Sequence, residues 1–447
     1  MSTTTTDTDR GVAERAMGIG LRGLNWLAGS DLLDRIRIRK GVERALFQGT
    51  KQGFRTATAA GRTFAAAQKL GKPARQSRSK SKGLFDVTPD DEQQMFQEAG
   101  RAFAADQIRP AAKAADDERT TPPELLAQTT ELGVAMLGVP AELGGVMEEG
   151  AATTAALIGE ALAHGDMGIA YAALAPGAVA TAIGLWGSAE QEATYLPPFT
   201  GEDVPAAALA ILEPRPLFNP MRPETKARRD GEDWVLDGAK SLIARATDCE
   251  LFVVAAYAEG IGPALFIVES GTKGLSIEDE PAMGLRPAAT GKLILEGARI
   301  PATAILGEGK RSDYLECVNR ARIAWASLSV GTCQAVLDYV IPYVNDRQAF
   351  GEPVSNRQGV AFAVSDIGIE TNGMRLAAYR AAARADQGVE FAREAAIARR
   401  LASQKGMKIG SDGVQLLGGH GFVKEHPVER WYRDLRSAGV MEGALLV

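Results

Sequence analysis

The sequence Val414-Gln-Leu-Leu-Gly-Gly-His-Gly-Phe422 decides how the rest of the chain is interpreted. An amide side chain at Gln415 is followed by Gly418 and Gly419, which lack a Cβ and let a ligand or a neighbouring chain approach the backbone closely. The same glycines are also typical of a helix C-cap, and both interpretations are open on these residues alone. The surrounding motifs are needed to choose between them.

Three further motifs are spaced around this one: Arg347-Gln-Ala-Phe-Gly351 before it, and Glu429-Arg-Trp-Tyr-Arg-Asp434 and Glu442-Gly443 after it. Arg347 offers a planar donor fork that suits a phosphate oxygen, although most arginines make only surface ion pairs. Glu442 is a carboxylate in an apolar setting, where it can serve as a base. The set therefore predicts an anion-binding arginine, a glycine pair and a single carboxylate around one bound ligand.

Length and composition place the chain among large globular proteins. It has 447 residues, of which 45% are hydrophobic and 24% charged, enough for two or three domains. Three cysteines without a CxxC pair and three histidines predict no metal site, so catalysis must depend on carboxylates, hydroxyls or an organic cofactor. The start of the chain lacks the features of a secretory signal, and we expect no segment to approach the roughly 18 consecutive apolar residues that a transmembrane helix needs. The predicted compartment is cytoplasmic.

Charge is distributed unevenly along the chain. Arg35 to Lys82 contains 14 Lys or Arg residues and one acid, whereas Gly83 to Val447 contains 33 Lys or Arg and 50 Asp or Glu. Residues 1–84 are therefore predicted to form a basic helical extension with a polar linker, able to contact an acidic protein face or, peripherally, an anionic membrane. Nucleic acid is not predicted as a partner, because the acidic body would repel a phosphate backbone.

The periodicity of the remaining chain predicts an α+β fold. A helical pattern starts at Thr88, which is the expected N-cap, and short β-branched runs follow between Val204 and Gly309. From Ser312 the helical period returns in long segments typical of a bundle. The predicted parts are an N-terminal helical domain over 85–203, a central small β-sheet domain over 204–309 and a C-terminal helical bundle over 310–447.

This order of parts and these motifs together resemble the acyl-CoA dehydrogenase family of flavoenzymes. The resemblance runs from about Phe85 to the C-terminus and includes RxxFG at Arg347 to Gly351, VQxxGGxGF at Val414 to Phe422, and Glu442-Gly443. It implies a C-terminal four-helix bundle, FAD as cofactor, an acyl-CoA substrate and usually a tetramer. Electron-transfer flavoprotein is the implied electron acceptor.

The resemblance also implies roles for individual residues. Glu442 matches the catalytic base, which removes the α-proton of an acyl-CoA thioester while the β-hydrogen leaves as a hydride to FAD, giving the trans-2-enoyl-CoA. Arg322 stands 25 residues before Arg347 and matches an arginine near the base and the substrate. The residues that match contacts to the pyrophosphate and adenosine half of an FAD held mainly by a neighbouring subunit are Arg347, Phe350, Gln415, Gly418 and Gly419.

The central domain departs from the family pattern where the flavin ring is expected to bind. A TEPxxGSD-like segment reads Leu212-Glu-Pro-Arg-Pro-Leu-Phe-Asn219, and a W-I-T segment reads Leu242-Ile-Ala244. These changes remove hydroxyl donors, and we expect Leu217, Phe218 and Leu242 to fill the space of the ring. Two hypotheses stay open: a dehydrogenase that acts alone or with a paralogous partner, and a non-catalytic structural subunit that completes the FAD site of such a partner.

Overall fold

The structure is a computed structural model that describes residues 87–146, 151–443 and 446. All of these residues belong to one compact unit, Phe85–Val447. The predicted basic extension over 1–84, with its proposed protein or membrane contacts, lies outside the described residues.

The N-terminal part of this unit is helical. It contains α1 (Asp91–Phe103), α2 (Arg109–Glu118), α3 (Pro123–Glu131), α4 (Ala151–Gly165), α5 (Met167–Trp186) and α6 (Ala189–Tyr195), with one π-helical turn, Ala104–Ile108, between α1 and α2. The N-cap of α1 is Asp90 and not Thr88, so that prediction was wrong. Asp90 accepts a hydrogen bond from the Gln93 backbone N–H at 2.8 Å, and Gln93 accepts one from the Asp90 N–H, which completes a capping box.

The helix α5 corrects the expectation that no segment is apolar enough to cross a membrane. Met167–Trp186 carries no charged residue and passes that test by length and composition. Its apolar window is 83% buried inside the protein. Because its sides pack against other described elements, α5 is the buried core helix of this part of the fold.

A seven-stranded sheet forms the central part. Its strands are β1 (Ala207–Ala210), β2 (Lys226–Asp230), β3 (Asp233–Ile243), β4 (Leu251–Ala258), β5 (Gly262–Glu269), β6 (Leu275–Asp279) and β7 (Gly291–Pro301). They follow the order β1-β4-β2-β3-β7-β6, and β5 pairs with β4. β1 and β2 run parallel to β4, and the other pairs are antiparallel. Most residues of β4 and β5 are buried, as expected for strands in the middle of a core.

Helices return in the C-terminal part. They are α7 (Arg311–Asp346), α8 (Gln358–Asp386), α9 (Ala392–Leu401), α10 (Met407–Leu416) and α11 (Val428–Leu435), with a small hairpin, β8 (Gln348–Ala349) and β9 (Glu352–Pro353), after α7. A π-helical turn, Ala402–Gly406, joins α9 to α10. The helical, β, helical order confirms the predicted α+β class, while the exact domain boundaries remain predictions.

Buried charges join the three parts. Arg433 of α11 makes hydrogen bonds from Nη1 and Nη2 to the carboxylate of Asp116 at 2.9 and 2.8 Å. Asp434 accepts the Leu285 N–H at 2.7 Å, and burial raises the pKa of Asp434 to about 8, with the nearby Asp166 adding to the shift. The motif around Arg433-Asp434 is therefore a structural junction between the helical and β parts.

Candidate functional site

The carboxylate of Glu442 follows a short turn that places it against the β part. The Met441 N–H donates to the Ser437 carbonyl oxygen at 2.8 Å. Gly443 has φ +65°, and a Cβ there would lie 2.5 Å from Cγ1 of Ile211. Because both the backbone angle and the close contact exclude a side chain, residue 443 must be glycine. The turn therefore brings Glu442 beside the segment that follows β1.

Two arginines from different helices flank this carboxylate. Arg322 of α7 places Nε 3.4 Å from Oε2 of Glu442, and Arg399 of α9 places Nη2 3.5 Å from Oε1. Arg399 also donates from Nη2 to the Met441 carbonyl oxygen at 2.8 Å. The Glu442 side chain is 14% exposed. Burial lowers the pKa of Arg399, although the Glu442 carboxylate opposes this shift.

Tyr314 of α7 holds the loop between β1 and β2. Its hydroxyl donates to the Pro220 carbonyl oxygen. Burial raises the pKa of Tyr314, and the nearby Cys317, Glu213 and Glu442 raise it further. Tyr314 is therefore protonated and neutral, and its hydroxyl hydrogen is donated to Pro220.

A buried ion pair holds the segment that begins at Leu212. Nζ of Lys240, on β3, lies 2.9 Å from Oε1 of Glu213 and 3.3 Å from the Ile211 carbonyl oxygen. The Thr225 N–H and hydroxyl donate to the same carboxylate oxygen. Burial lowers the pKa of Lys240 to about 8, against the attraction of Glu213. The pair is fully hydrogen-bonded, so it fixes the segment without an uncompensated charge.

The Leu242 to Ala244 segment has its backbone groups satisfied inside the chain. The buried Tyr171 hydroxyl donates to the Leu242 carbonyl oxygen at 2.9 Å and lies 3.2 Å from the Ala244 N–H as its acceptor. The Leu242 N–H donates to Glu280 at 2.7 Å. These donors are already occupied by this chain's own side chains. The segment therefore does not fit a flavin ring in the manner that the family pattern implies.

The Leu217 side chain lies at the surface of the chain, and its occupation of the ring's space stays a prediction. Its side chain is 98% exposed and its φ is +54°. Phe218 is half-buried and lies 5.5 Å from the Arg215 guanidinium. Of the bulky replacements, Leu242 is half-buried and packs on the core, whereas Leu217 faces solvent.

An open cavity of about 510 Å³ gathers four of the five residues predicted to contact a cofactor. Arg347, Gln415, Gly418 and Gly419 all line it. A Cβ built on either glycine would meet nothing within 4 Å, so the packing of the described chain does not explain the glycine at 419. Close approach of something outside the subunit would explain it.

The fifth residue, Phe350, lies at the edge of this cavity. The helix α7 ends at Asp346, and Arg347 is its extended C-cap. Phe350 follows in the β8–β9 turn with φ +54° and a 97% exposed ring. The guanidinium of Arg357, which lines the cavity, stacks 5.6 Å from that ring. The lining includes neither Glu442 nor Arg322, so the predicted site residues form two separate groups.

A cavity of about 640 Å³ beside the loop between β1 and β2 was not predicted from the sequence. Its lining carries four cations, Arg215, Arg222, Lys226 and Arg311, together with one acid, Glu224. Arg311 and Tyr314 are neighbours on the first turns of α7. This cavity was detectable from the cluster of Lys and Arg between 215 and 229 in an otherwise acidic body.

Arg399 was also not predicted as a site residue, because nothing in the sequence Ala398-Arg-Arg-Leu401 separates an inward arginine from an outward one.

No metal site was predicted from the sequence. Within residues 87–146 and 151–443, no group of three or more His, Cys, Asp or Glu side chains could hold a metal ion.

Models of a known protein family match nearly all of the described unit. Three acyl-CoA dehydrogenase family models match: the N-terminal domain at residues 90–203, the middle domain at 208–298 and the C-terminal domain at 312–445. The chain belongs to the acyl-CoA dehydrogenase family. Members of this family are FAD-dependent oxidoreductases of fatty acid metabolism.

Individual relatives agree with this assignment. The mitochondrial short-chain specific acyl-CoA dehydrogenase of Mus musculus is 32% identical over 362 residues, which covers 78% of this chain and 86% of that protein. The structure of butyryl-CoA dehydrogenase from Megasphaera elsdenii has a TM-score of 0.73 and 27% identity, over 80% of this chain and 95% of that one. A glutaryl-CoA dehydrogenase from Mycobacterium smegmatis, solved with FADH2, has a TM-score of 0.71 and 25% identity over 78% and 90%.

Proposed function

We propose that this acyl-CoA dehydrogenase family chain catalyses the α,β-dehydrogenation of an acyl-CoA thioester to the trans-2-enoyl-CoA, with its cofactor bound across a subunit interface. The observation that carries the proposal is the half-buried Glu442 carboxylate, held between Arg322 and Arg399. A lone carboxylate with hydrogen-bonding groups around it suits proton abstraction, and a separate cavity lined by four cations suits a phosphate-bearing substrate.

In this reaction Glu442 takes the proton from the α-carbon of the thioester. The electron pair of that C–H bond forms the new double bond as the β-hydrogen leaves with its own pair. Bound FAD supplies the acceptor for that hydride. Arg322 is the proposed substrate-binding residue, and it lies against the carboxylate that takes the proton. Short acyl groups are the first substrates to test, since the mouse relative is named for short-chain substrates.

The cation-lined cavity is the proposed position of the coenzyme A phosphates. Arg222, Lys226 and Arg311 offer positive charge around this cavity. Arg215 is partly neutralised by its ion pairs with Glu224 and Glu213, so we assign it a smaller share. Phosphate binding by several exposed cations falls as salt rises, because salt screens the attraction.

The cofactor would be held by the outward cavity. Arg347 and Gln415 would contact the pyrophosphate and adenosine portion, and Gly418 and Gly419 allow its close approach. The flavin ring would be held mainly by a neighbouring subunit, because the Leu242 to Ala244 segment is satisfied internally. Electron-transfer flavoprotein is the proposed acceptor of the electrons.

An exposed apolar face supports a partner chain beside this cavity. Phe362, Ile369 and Leu376 recur every seven residues on α8 and are 60, 68 and 58% exposed. Residues seven apart lie on one helix face, so the three form a stripe that burial against another chain would stabilise. α8 begins at the cavity itself. We propose a tetramer with a paralogous dehydrogenase subunit, with a homotetramer as the alternative.

Replacing the base tests the proposed reaction. Glu442→Gln, assayed with the partner present, should lower acyl-CoA oxidation about 10³-fold, within the usual range for loss of a general base. Glu98→Gln, which changes an exposed glutamate on α1, is the matched control and should leave the rate unchanged. Equal rates for Glu442→Gln and the unchanged chain would show that this glutamate is not the base.

The second candidate is a structural subunit that completes a partner's FAD site without catalysing. The internally satisfied Leu242 to Ala244 segment favours it. In that case Glu442→Gln would leave the activity of the assembly unchanged, while Arg347→Met would still lower its flavin content.

A further inference from the structure

Arg399 and its neighbour Arg400 have the same residue type but differ in burial and in contacts. Arg399 is half-buried, with 13% of its side chain exposed, and faces Glu442, whereas Arg400 is exposed. One guanidinium nitrogen of Arg399, Nη2, lies within reach of both the Met441 carbonyl oxygen at 2.8 Å and Oε1 of Glu442 at 3.5 Å. Arg399 therefore contacts the backbone before the carboxylate and the carboxylate itself.

The fold keeps this arginine in an unfavourable setting. Its Nε atom is buried and has no hydrogen-bond partner. A second cation, Arg322, stands on the other side of the carboxylate. Burying an unpaired donor and placing two guanidinium groups around one carboxylate both oppose folding. A side chain needed only for stability would be better replaced by an apolar residue, so the arrangement indicates a functional requirement.

The geometry indicates what that requirement is. Glu442 follows a turn whose last backbone hydrogen bond is from Met441 to Ser437, and Gly443 then reverses against Ile211. Between these two fixed points the orientation of the carboxylate depends on its side-chain partners. The two N–H groups of Nη2 can hold a carbonyl oxygen and a carboxylate oxygen together in directions fixed by the guanidinium plane, whereas a lysine ammonium is a point charge on a flexible stem.

We propose that Arg399 is a positioning residue that sets the orientation of the Glu442 carboxylate for proton abstraction. This inference rests on the proposed function. Arg399 acts through Glu442 and the Met441 carbonyl and takes no proton itself. Arg322 contacts the opposite oxygen of Glu442. In this proposal Arg399 orients the carboxylate, and Arg322 stays available for the substrate.

Kinetic comparison of single and double variants tests the role. Arg399→Met should lower kcat about 100-fold, the size of effect that a 1 Å displacement of a reacting group produces, with KM changed by less than about 3-fold. Arg399→Lys should recover part of that loss, and Arg400→Met should match the unchanged chain. In a Glu442→Gln background, Arg399→Met should cause no further loss, since its effect passes through the missing carboxylate. An equal additional loss in that background would overturn the proposal.

Hydrogen exchange gives a readout that does not need turnover. In the chain without substrate, amides of the peptide that contains Met441 should exchange faster in Arg399→Met than in Arg400→Met, with Arg399→Lys in between. Unchanged exchange together with unchanged kcat would overturn the positioning role. Absence of acyl-CoA oxidation by the unchanged assembly would reject the proposed function and the role together, and the exchange data would then show only whether Arg399 anchors the segment.

Discussion

The Glu442 site and the Arg347 cavity are built in opposite ways. Glu442 is flanked by two arginines, and the glycine that follows it lies against Ile211. Arg347 and Gly419 face open space, and no packing inside the described chain explains them. The contacts of Glu442 are made within one subunit, whereas the exposed groups of the Arg347 cavity have a binding role only when another molecule occupies it. In the proposed function, one subunit would contribute the base and part of a cofactor site.

Substitution of one glycine in each region should give the largest difference in stability between the two regions. Gly443→Ala should destabilise the lone chain by about 2–3 kcal/mol, because it forces an alanine into positive φ and against Ile211. Gly419→Ala should change the stability of the lone chain by less than about 0.5 kcal/mol, since its new Cβ meets nothing. Denaturant unfolding of both variants measures the difference. Equal destabilisation by the two would show that the outward cavity is packed within the chain after all.

Removing the outward arginine should affect the cofactor without affecting the fold. Arg347→Met should weaken FAD binding by the assembly about 10- to 100-fold, the usual loss for a charged hydrogen bond to a phosphate. Because Arg347 is exposed, unfolding of the lone chain should not change. Arg393→Met, another exposed arginine of the C-terminal part, is the matched control. Flavin titration that gives the same affinity for both variants would remove Arg347 from the site.

The stability of the buried junction around Arg433 and Asp434 should depend on pH through the Asp434 carboxyl group. Its folded pKa is raised to about 8 by burial and then by Asp166, above an unfolded value of about 3.9. For a raised carboxyl pKa, stability is fully present below the unfolded pKa and is lost as pH rises towards the folded one. Asp434→Asn should therefore gain stability relative to the unchanged chain between about pH 4 and pH 8. Parallel pH dependence of the two free energies of unfolding would contradict this account.

The smallest expected effect concerns the hydroxyl that occupies the Leu242 to Ala244 segment. Tyr171→Phe removes a buried group that bridges Leu242 and Ala244, so it should destabilise the chain by about 1–2 kcal/mol. Thermal unfolding measures this change. If the lone Tyr171→Phe chain also took up flavin, the tyrosine would be what closes the segment to the cofactor.

Much of the fold could be predicted from the sequence because its signals are local. The long helical period of α7 and α8 and the β-branched runs of β4 and β5 are visible in single segments. The start of α1 was misplaced, since Thr88 and Asp90 are both good N-caps and only the Gln93 reciprocal bond selects between them. Likewise α5 looks like a membrane helix until its neighbours show that it is enclosed.

The site was harder to predict because it depends on contacts distant in sequence. The motifs identified Arg347 and Gln415 but could not show that they line a cavity separate from Glu442. Arg399 lies 43 residues before Glu442 and carries no local signal. The residue type of Leu217 does not indicate its turn conformation, which directs the side chain to solvent.

The most direct measurement is the flavin absorbance per chain, first for the lone protein and then for the protein purified with a paralogous dehydrogenase. The proposal that this chain holds only part of the cofactor site predicts little flavin on the lone chain and near-stoichiometric flavin once the partner is present. Near-stoichiometric flavin on the lone chain would contradict it, because the chain would then hold the ring with its own residues.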